Sequence, residues 1–136
     1  MDDEPTTQPA PTTQPAPTAP AVPTAPPVPG TPTALTVLTT ADAEGKAREL
    51  AYGAIRARLA ACAQITGPVT SVYRWEGEIE TAQEWQVLLK TTAARYAALE
   101  AWLTEAHDYD TPEIIATPVV RGSAAYLEWV ERETAD

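Results

Sequence analysis

The stretch Ser71-Val72-Tyr73-Arg74-Trp75-Glu76-Gly77-Glu78-Ile79-Glu80 constrains the fold more than any other part of the chain. Two runs rich in β-branched and aromatic residues flank a Glu-Gly pair, a pattern that predicts a β-hairpin. Gly77 reaches positive φ at little cost, so the chain can reverse there; Glu-Gly is weaker turn chemistry than Asn-Gly and leaves the turn type open. The arms run from roughly Gln64 to Trp75 and from Glu78 to Thr91. An arm of about twelve residues spans on the order of 40 Å at about 3.3 Å per residue, roughly twice the commonest strand length. A small domain has too few helices to cover such a ribbon, so something else is expected to pair with it or pack on it. With Glu76-Gly77 as a two-residue loop, Val72, Arg74, Ile79, Trp85, Val87 and Leu89 share one face. Gly67-Pro68 interrupts the first arm and demands a bend or bulge there.

The segments around the hairpin supply the remaining elements. Ala34-Leu35-Thr36-Val37-Leu38-Thr39-Thr40 reads as a buried strand. Thr40 then caps a helix to about residue 60, with Ala47, Leu50, Ala51, Ala54, Ile55 and Leu59 on its apolar face. Gly45 and Gly53 weaken this helix intrinsically, so packing has to support it. Thr92 starts a second helix, carrying Tyr96, Leu99, Leu103 and Ala106, which stops at His107-Asp108-Tyr109-Asp110 before Thr111-Pro112. Residues 113–120 read as a fourth strand in which Pro118 calls for solvent or a bulge. A last helix runs from Ala124 to about Glu133, with Tyr126, Leu127, Trp129 and Val130 on packing positions. This βαββαβ order plus a C-terminal helix predicts an α+β, ferredoxin-like sandwich: an antiparallel sheet with both main helices on one face and a second face asking for a partner.

Composition divides the chain. Eleven of the 14 prolines lie in residues 1–34, whereas all four Trp and all five Tyr come later. Residues 1–33 therefore read as a disordered Pro/Thr/Ala-rich extension, and residues 34–136 as one folded domain. The net charge of −10 argues against nucleic acid, which asks for a basic patch. No apolar run approaches the about 18 residues of a membrane helix, and the acidic N-terminus lacks the apolar core of a secretory signal. One cysteine, Cys62, permits no intrachain disulfide and no Cys-x-x-Cys pair. These features together predict a cytoplasmic location. Gly-x-Ser-x-Gly, phosphate-loop and His-Glu-x-x-His signatures are all missing, so the chain is not expected to be an enzyme.

Several blocks then resemble one family. Val37-Leu38-Thr39-Thr40, Arg58-Leu59-Ala60-Ala61-Cys62, Thr70 to Gly77, Lys90-Thr91, and Tyr109 with Thr111-Pro112-Glu113-Ile114 resemble the CutA divalent-cation tolerance family in order and spacing, from about residue 34 to 133. The resemblance implies a ferredoxin-like fold assembled as a compact homotrimer, with long strands pairing between subunits, and an involvement in tolerance of divalent metals, chiefly copper. It also implies a likeness to the trimeric PII signalling proteins, which bind nucleotides between subunits. Some family members are assigned copper ligands at positions matching Thr39, Ala106 and His107 of this chain. Two of these three lack a good soft-metal donor.

Two sets of residues are candidates for chemistry. His107, the only histidine, lies beside Asp108 and Asp110, and imidazole with carboxylate suits Cu(II) or another divalent cation. The competing role is local: its ring favours the negative end of the second helix and hydrogen-bonds nearby. Tyr73, Trp75, Lys90, Tyr109 and Glu113 offer aromatic walls, one cation and one carboxylate, the makings of a subunit-interface cleft for a small polar ligand. Interface packing uses the same aromatic residues. Cys62, among alanines at a strand start, reads as a small inert side chain.

Overall fold

The computed structural model describes residues 34–135; the proline-rich extension expected over 1–33 lies outside the described residues. The elements are β1 (Ala34–Ala41), α1 (Glu44–Arg56), β2 (Cys62–Trp75), β3 (Glu78–Thr92), α2 (Ala93–Ala106), β4 (Ile115–Pro118) and α3 (Ala124–Thr134). The strands form one antiparallel sheet in the order β2-β3-β1-β4.

The hairpin forms as the sequence predicts. Trp75 pairs with Glu78 across a two-residue loop. Glu76 and Gly77 have φ of 51° and 85°, the double positive φ of a type I′ turn, whose twist matches that of the strands. A bulge falls at the expected place: Thr66 pairs with Gln86 and Val69 with Glu84, so Gly67 and Pro68 together oppose Trp85. Glycine is required there. A Cβ on Gly67 would lie 2.7 Å from Trp85 Cδ1 and 3.0 Å from its Cα.

The core lies between one sheet face and the helices α1 and α2. Val37, Val87 and Leu89 from the sheet pack with Leu50, Ala51 and Ala54 of α1 and with Leu99 and Leu103 of α2. Gly53 lets the two helices meet, because a Cβ there would stand 2.5 Å from two ring carbons of Trp102. The helix that Gly53 weakens by propensity is thus held by the packing that Gly53 permits.

Three boundaries differ from expectation. Thr40 does not cap α1; it stays in β1, and Ala43 occupies the N-cap with no side-chain bond. The helix stops at Arg56 instead of about residue 60, because Arg58 adopts φ 60°. The amide of Leu59 then donates to the Ala54 carbonyl and that of Arg58 to the Ile55 carbonyl. This is the Schellman closure, with arginine where glycine is usual. The Arg58 guanidinium in turn donates to the carbonyls of Arg132 and Ala135, placing a cation at the C-terminus of α3. The fourth strand is four residues long, not eight, and runs along the edge of the sheet, where Pro118 costs no ladder bond.

The second sheet face is partly covered. Lys90, which the pleat sends away from the Leu89 side, has its Nζ 5.8 Å from the ring centroid of Tyr126 in α3. Val130 and Thr134 are buried there, while Leu38 and Leu88, further along the same face, remain half-buried.

Candidate functional site

The outer half of the hairpin and the loop between α2 and β4 border an open cavity of about 670 Å³. Thr40 comes from β1, Ser71 to Tyr73 and Trp75 from β2, Glu84 from β3, and Tyr109 to Glu113 from the loop. The pleat explains the hairpin wall. Tyr73 pairs with Glu80, Trp75 with Glu78 and Val69 with Glu84, so all these side chains share one face. On the other face Val72, Arg74 and Ile79 continue the row of Trp85, Val87 and Leu89, as expected. Helices cover that row at its base, whereas Val72 and Ile79 stay 65% and 68% exposed.

The loop is pinned at three points. His107 ends α2, and its Nδ1 accepts the amide proton of Tyr109 at 3.1 Å. A backbone amide only donates, so Nδ1 carries no proton, and Nε2–H donates to the Thr40 carbonyl at 2.7 Å. Asp108 forms an ion pair with Lys46 of α1 at 3.3 Å. Burial pushes the Lys46 ammonium down, but hydrogen bonds and charge from Asp108 and Glu49 raise its pKa on balance. Tyr109 then donates its hydroxyl proton to Glu84 Oε2 at 2.7 Å, with its ring 4.6 Å from that of His107. Burial first, then the bond to Glu84 and its charge, hold the Tyr109 hydroxyl well above the usual phenol range.

Four of the five residues expected to form a cleft come together here: Tyr73, Trp75, Tyr109 and Glu113. Lys90 does not join them in this chain. It lies six residues along β3 from Glu84, on the order of 20 Å at about 3.3 Å per residue, opposite Cys62 and beneath Tyr126. Cys62 is half-buried there, and its contact with Tyr126 helps, after burial, to raise that tyrosine's pKa. Glu84 escaped the sequence reading because one acid in a strand looks like a solvated face. Its parity with Tyr73 and Trp75 across the hairpin was the available signal.

The positions implied for copper are a poor ligand set. Thr39 is fully buried, and its Oγ1 has no hydrogen-bond partner among the described residues. Ala106 offers no donor atom, and both nitrogens of His107 are already engaged. Among the described residues no three His, Cys, Asp or Glu side chains converge as metal ligands. No helix among them is long and apolar enough to cross a membrane.

Comparison with known proteins agrees on one family. Residues 35–133 match the family model described as CutA1 divalent ion tolerance protein. The chain is 42% identical over 99 residues to the divalent-cation tolerance protein CutA of Citrobacter koseri, covering 73% of this chain and 86% of that one. Its structure is similar to that of the divalent cation tolerance protein from Thermus thermophilus, with TM-score 0.73 and 38% identity over 75% of this chain and 99% of that one. The same score, at 31% identity over 75% of this chain and 99% of the other, relates it to a CutA from Archaeoglobus fulgidus described as periplasmic.

Proposed function

The chain belongs to the CutA1 divalent ion tolerance family, and from that premise we propose that it acts in the response to divalent metal ions as a homotrimer that binds instead of catalysing. The hairpin carries this reading: on one side Val72 and Ile79, and on the other Tyr73 and Trp75, are exposed on a ribbon whose base is packed. A neighbouring subunit would bury this surface, which is large for a lone domain to leave in water. The sheet order β2-β3-β1-β4, with α1 and α2 on one face, supports the ferredoxin-like description. In this reading residues 34–136 are the folded unit, residues 1–33 are dispensable, and the protein works in the cytoplasm.

The finer form of the proposal has His107 as a point of contact for Cu(II), exchanging one of its two hydrogen bonds for the metal. A single imidazole per subunit makes a strong site only where three subunits converge. Binding is favoured over catalysis because this imidazole is committed at both nitrogens, to the Thr40 carbonyl and the Tyr109 amide, with no nucleophile bonded to it among the described residues. A second reading, a PII-like sensor that holds a small ligand at subunit interfaces and signals through partner proteins, is favoured by the cavity beside the exposed hairpin.

Light scattering is expected to give three times the chain mass of 14.5 kDa. Val72→Glu with Ile79→Glu should lower it; a wild-type mass of one chain sinks the trimer. Calorimetric titration with Cu(II) tests the metal contact. Binding no tighter than about millimolar, unchanged by His107→Ala, overturns it.

A further inference from the structure

The outer half of the hairpin carries two unlike faces. On one, Tyr73 and Trp75 stand directly across from Glu80 and Glu78, and Glu84 follows along β3. The other pairs Arg74 with Ile79 and Val72 with Thr81, so Arg74 is its one charge, set among aliphatic side chains. The chain leaves both faces in water: Tyr73, Trp75, Val72 and Ile79 are exposed, and so are Arg74, Glu78 and Glu80.

Each face lacks what the other holds. The ring face gathers three carboxylates, Asp110 and Glu113 add two more beside it in the cavity, and no lysine, arginine or histidine lines that cavity. A subunit that covered this face without bringing a cation would strip water from acids and leave them unpaired, which is costly. Arg74 has the converse deficit. Other cations of the chain are engaged: Lys46 with Glu49 and Asp108, Arg48 with Glu44, Arg58 with the carbonyls at the end of α3, and Lys90 over Tyr126. Arg74 makes no hydrogen bond or ion pair among the described residues. The pleat also turns it away from Glu78 and Glu80 of its own chain.

A three-fold ring supplies both missing partners. Its interfaces are heterologous, so each subunit offers one surface to the neighbour on one side and a different surface to the other. A guanidinium suits the ring face doubly, since it pairs with carboxylates and stacks on aromatic rings. Val72 and Ile79 would meet those rings as apolar surface.

We propose that, in the homotrimer, Arg74 of each subunit seats on the face of the next subunit formed by Tyr73, Trp75, Glu78 and Glu80. The cleft beside Tyr109 is then incomplete in one chain and receives its cation from a neighbour. The proposal rests on the homotrimer inferred above and names the contact that closes it.

A charge exchange tests the contact, read by light scattering of the full chain over a dilution series. Arg74→Glu should raise the concentration at which the trimer dissociates by at least about 10-fold, and Glu80→Arg should weaken it in the same direction. The double variant Arg74→Glu with Glu80→Arg should recover much of the loss. Within a chain these positions lie on opposite faces, so recovery reads a contact between chains. A second measurement uses Arg74→Cys with Glu80→Cys in a Cys62→Ala background. Their Cβ atoms point apart within one chain, so mild oxidation should link only different chains and give covalent trimers on a denaturing gel. An unchanged dissociation after Arg74→Glu, no recovery in the double variant, or no cross-link in a sample of trimer mass overturns the contact and leaves the homotrimer standing. A wild-type mass of one chain removes both.

Discussion

Tyr109 Oη donates a 2.7 Å hydrogen bond to Glu84 Oε2, joining the loop after α2 to the middle of β3. Glu84 is only 9% exposed, so this donor offsets part of the cost of burying a carboxylate. Tyr109→Phe keeps the ring and removes the donor, and should cost about 1–3 kcal/mol by urea denaturation at pH 7. The pH dependence has a definite sign. The folded hydroxyl titrates above the ordinary phenol value near 10, so its contribution is full below pH 10 and is lost as pH rises toward the folded value. The stability gap between wild type and Tyr109→Phe should therefore shrink above about pH 10. A gap that stays constant to pH 11 would contradict the assignment.

Thr39 offers a change in the opposite direction. Its Oγ1 is buried and unpartnered, which costs about 1–3 kcal/mol of desolvation. Thr39→Val replaces the hydroxyl with a methyl of similar shape and should raise stability by about 1 kcal/mol, seen as a higher urea midpoint with unchanged slope. A lower midpoint would mean that the hydroxyl has a partner.

Gly53 sets packing against propensity. Alanine gains about 1 kcal/mol in a helix interior, yet its methyl would overlap the Trp102 ring at 2.5 Å. Overpacking costs about 1–3 kcal/mol, so Gly53→Ala is expected to destabilise on balance. Combining it with Trp102→Leu should recover part of the loss in thermal unfolding. Additive effects of the two changes would show that the residues do not meet.

The features legible in the sequence were those set by short-range rules. The two-residue loop at Glu76-Gly77, the bulge at Gly67-Pro68 and the face shared by Val72, Arg74 and Ile79 all appear as expected. The end of α1 was illegible because arginine, not glycine, takes the left-handed position at residue 58, and what supports it there comes from α3, over 70 residues away. Thr40 looked like a cap but belongs to the sheet, where its carbonyl receives His107. Lys90 shares a strand with Glu84 but not the cavity, since position along β3 separates residues that alternation places on the same face. The role of Glu84 depended on a long-range partner, Tyr109, that no local pattern announces.

The extra residue at Gly67-Pro68 has a consequence beyond the local kink. Ahead of it Ala63 and Ile65 pair with Leu89 and Val87 and pack toward the helices; past it Tyr73 and Trp75 pair with Glu80 and Glu78 on the opposite side. Odd-numbered residues of β2 thus point inward in its first half and toward the cavity in its second. Shortened by one residue there, the ladder would run regularly past Trp85, while the two-residue turn would still hold Tyr73 across from Glu80 and Trp75 across from Glu78. The rings are held over the acids from the turn end of the ribbon, and the extra residue is what joins that register to the one that packs Ala63 and Ile65 against the helices.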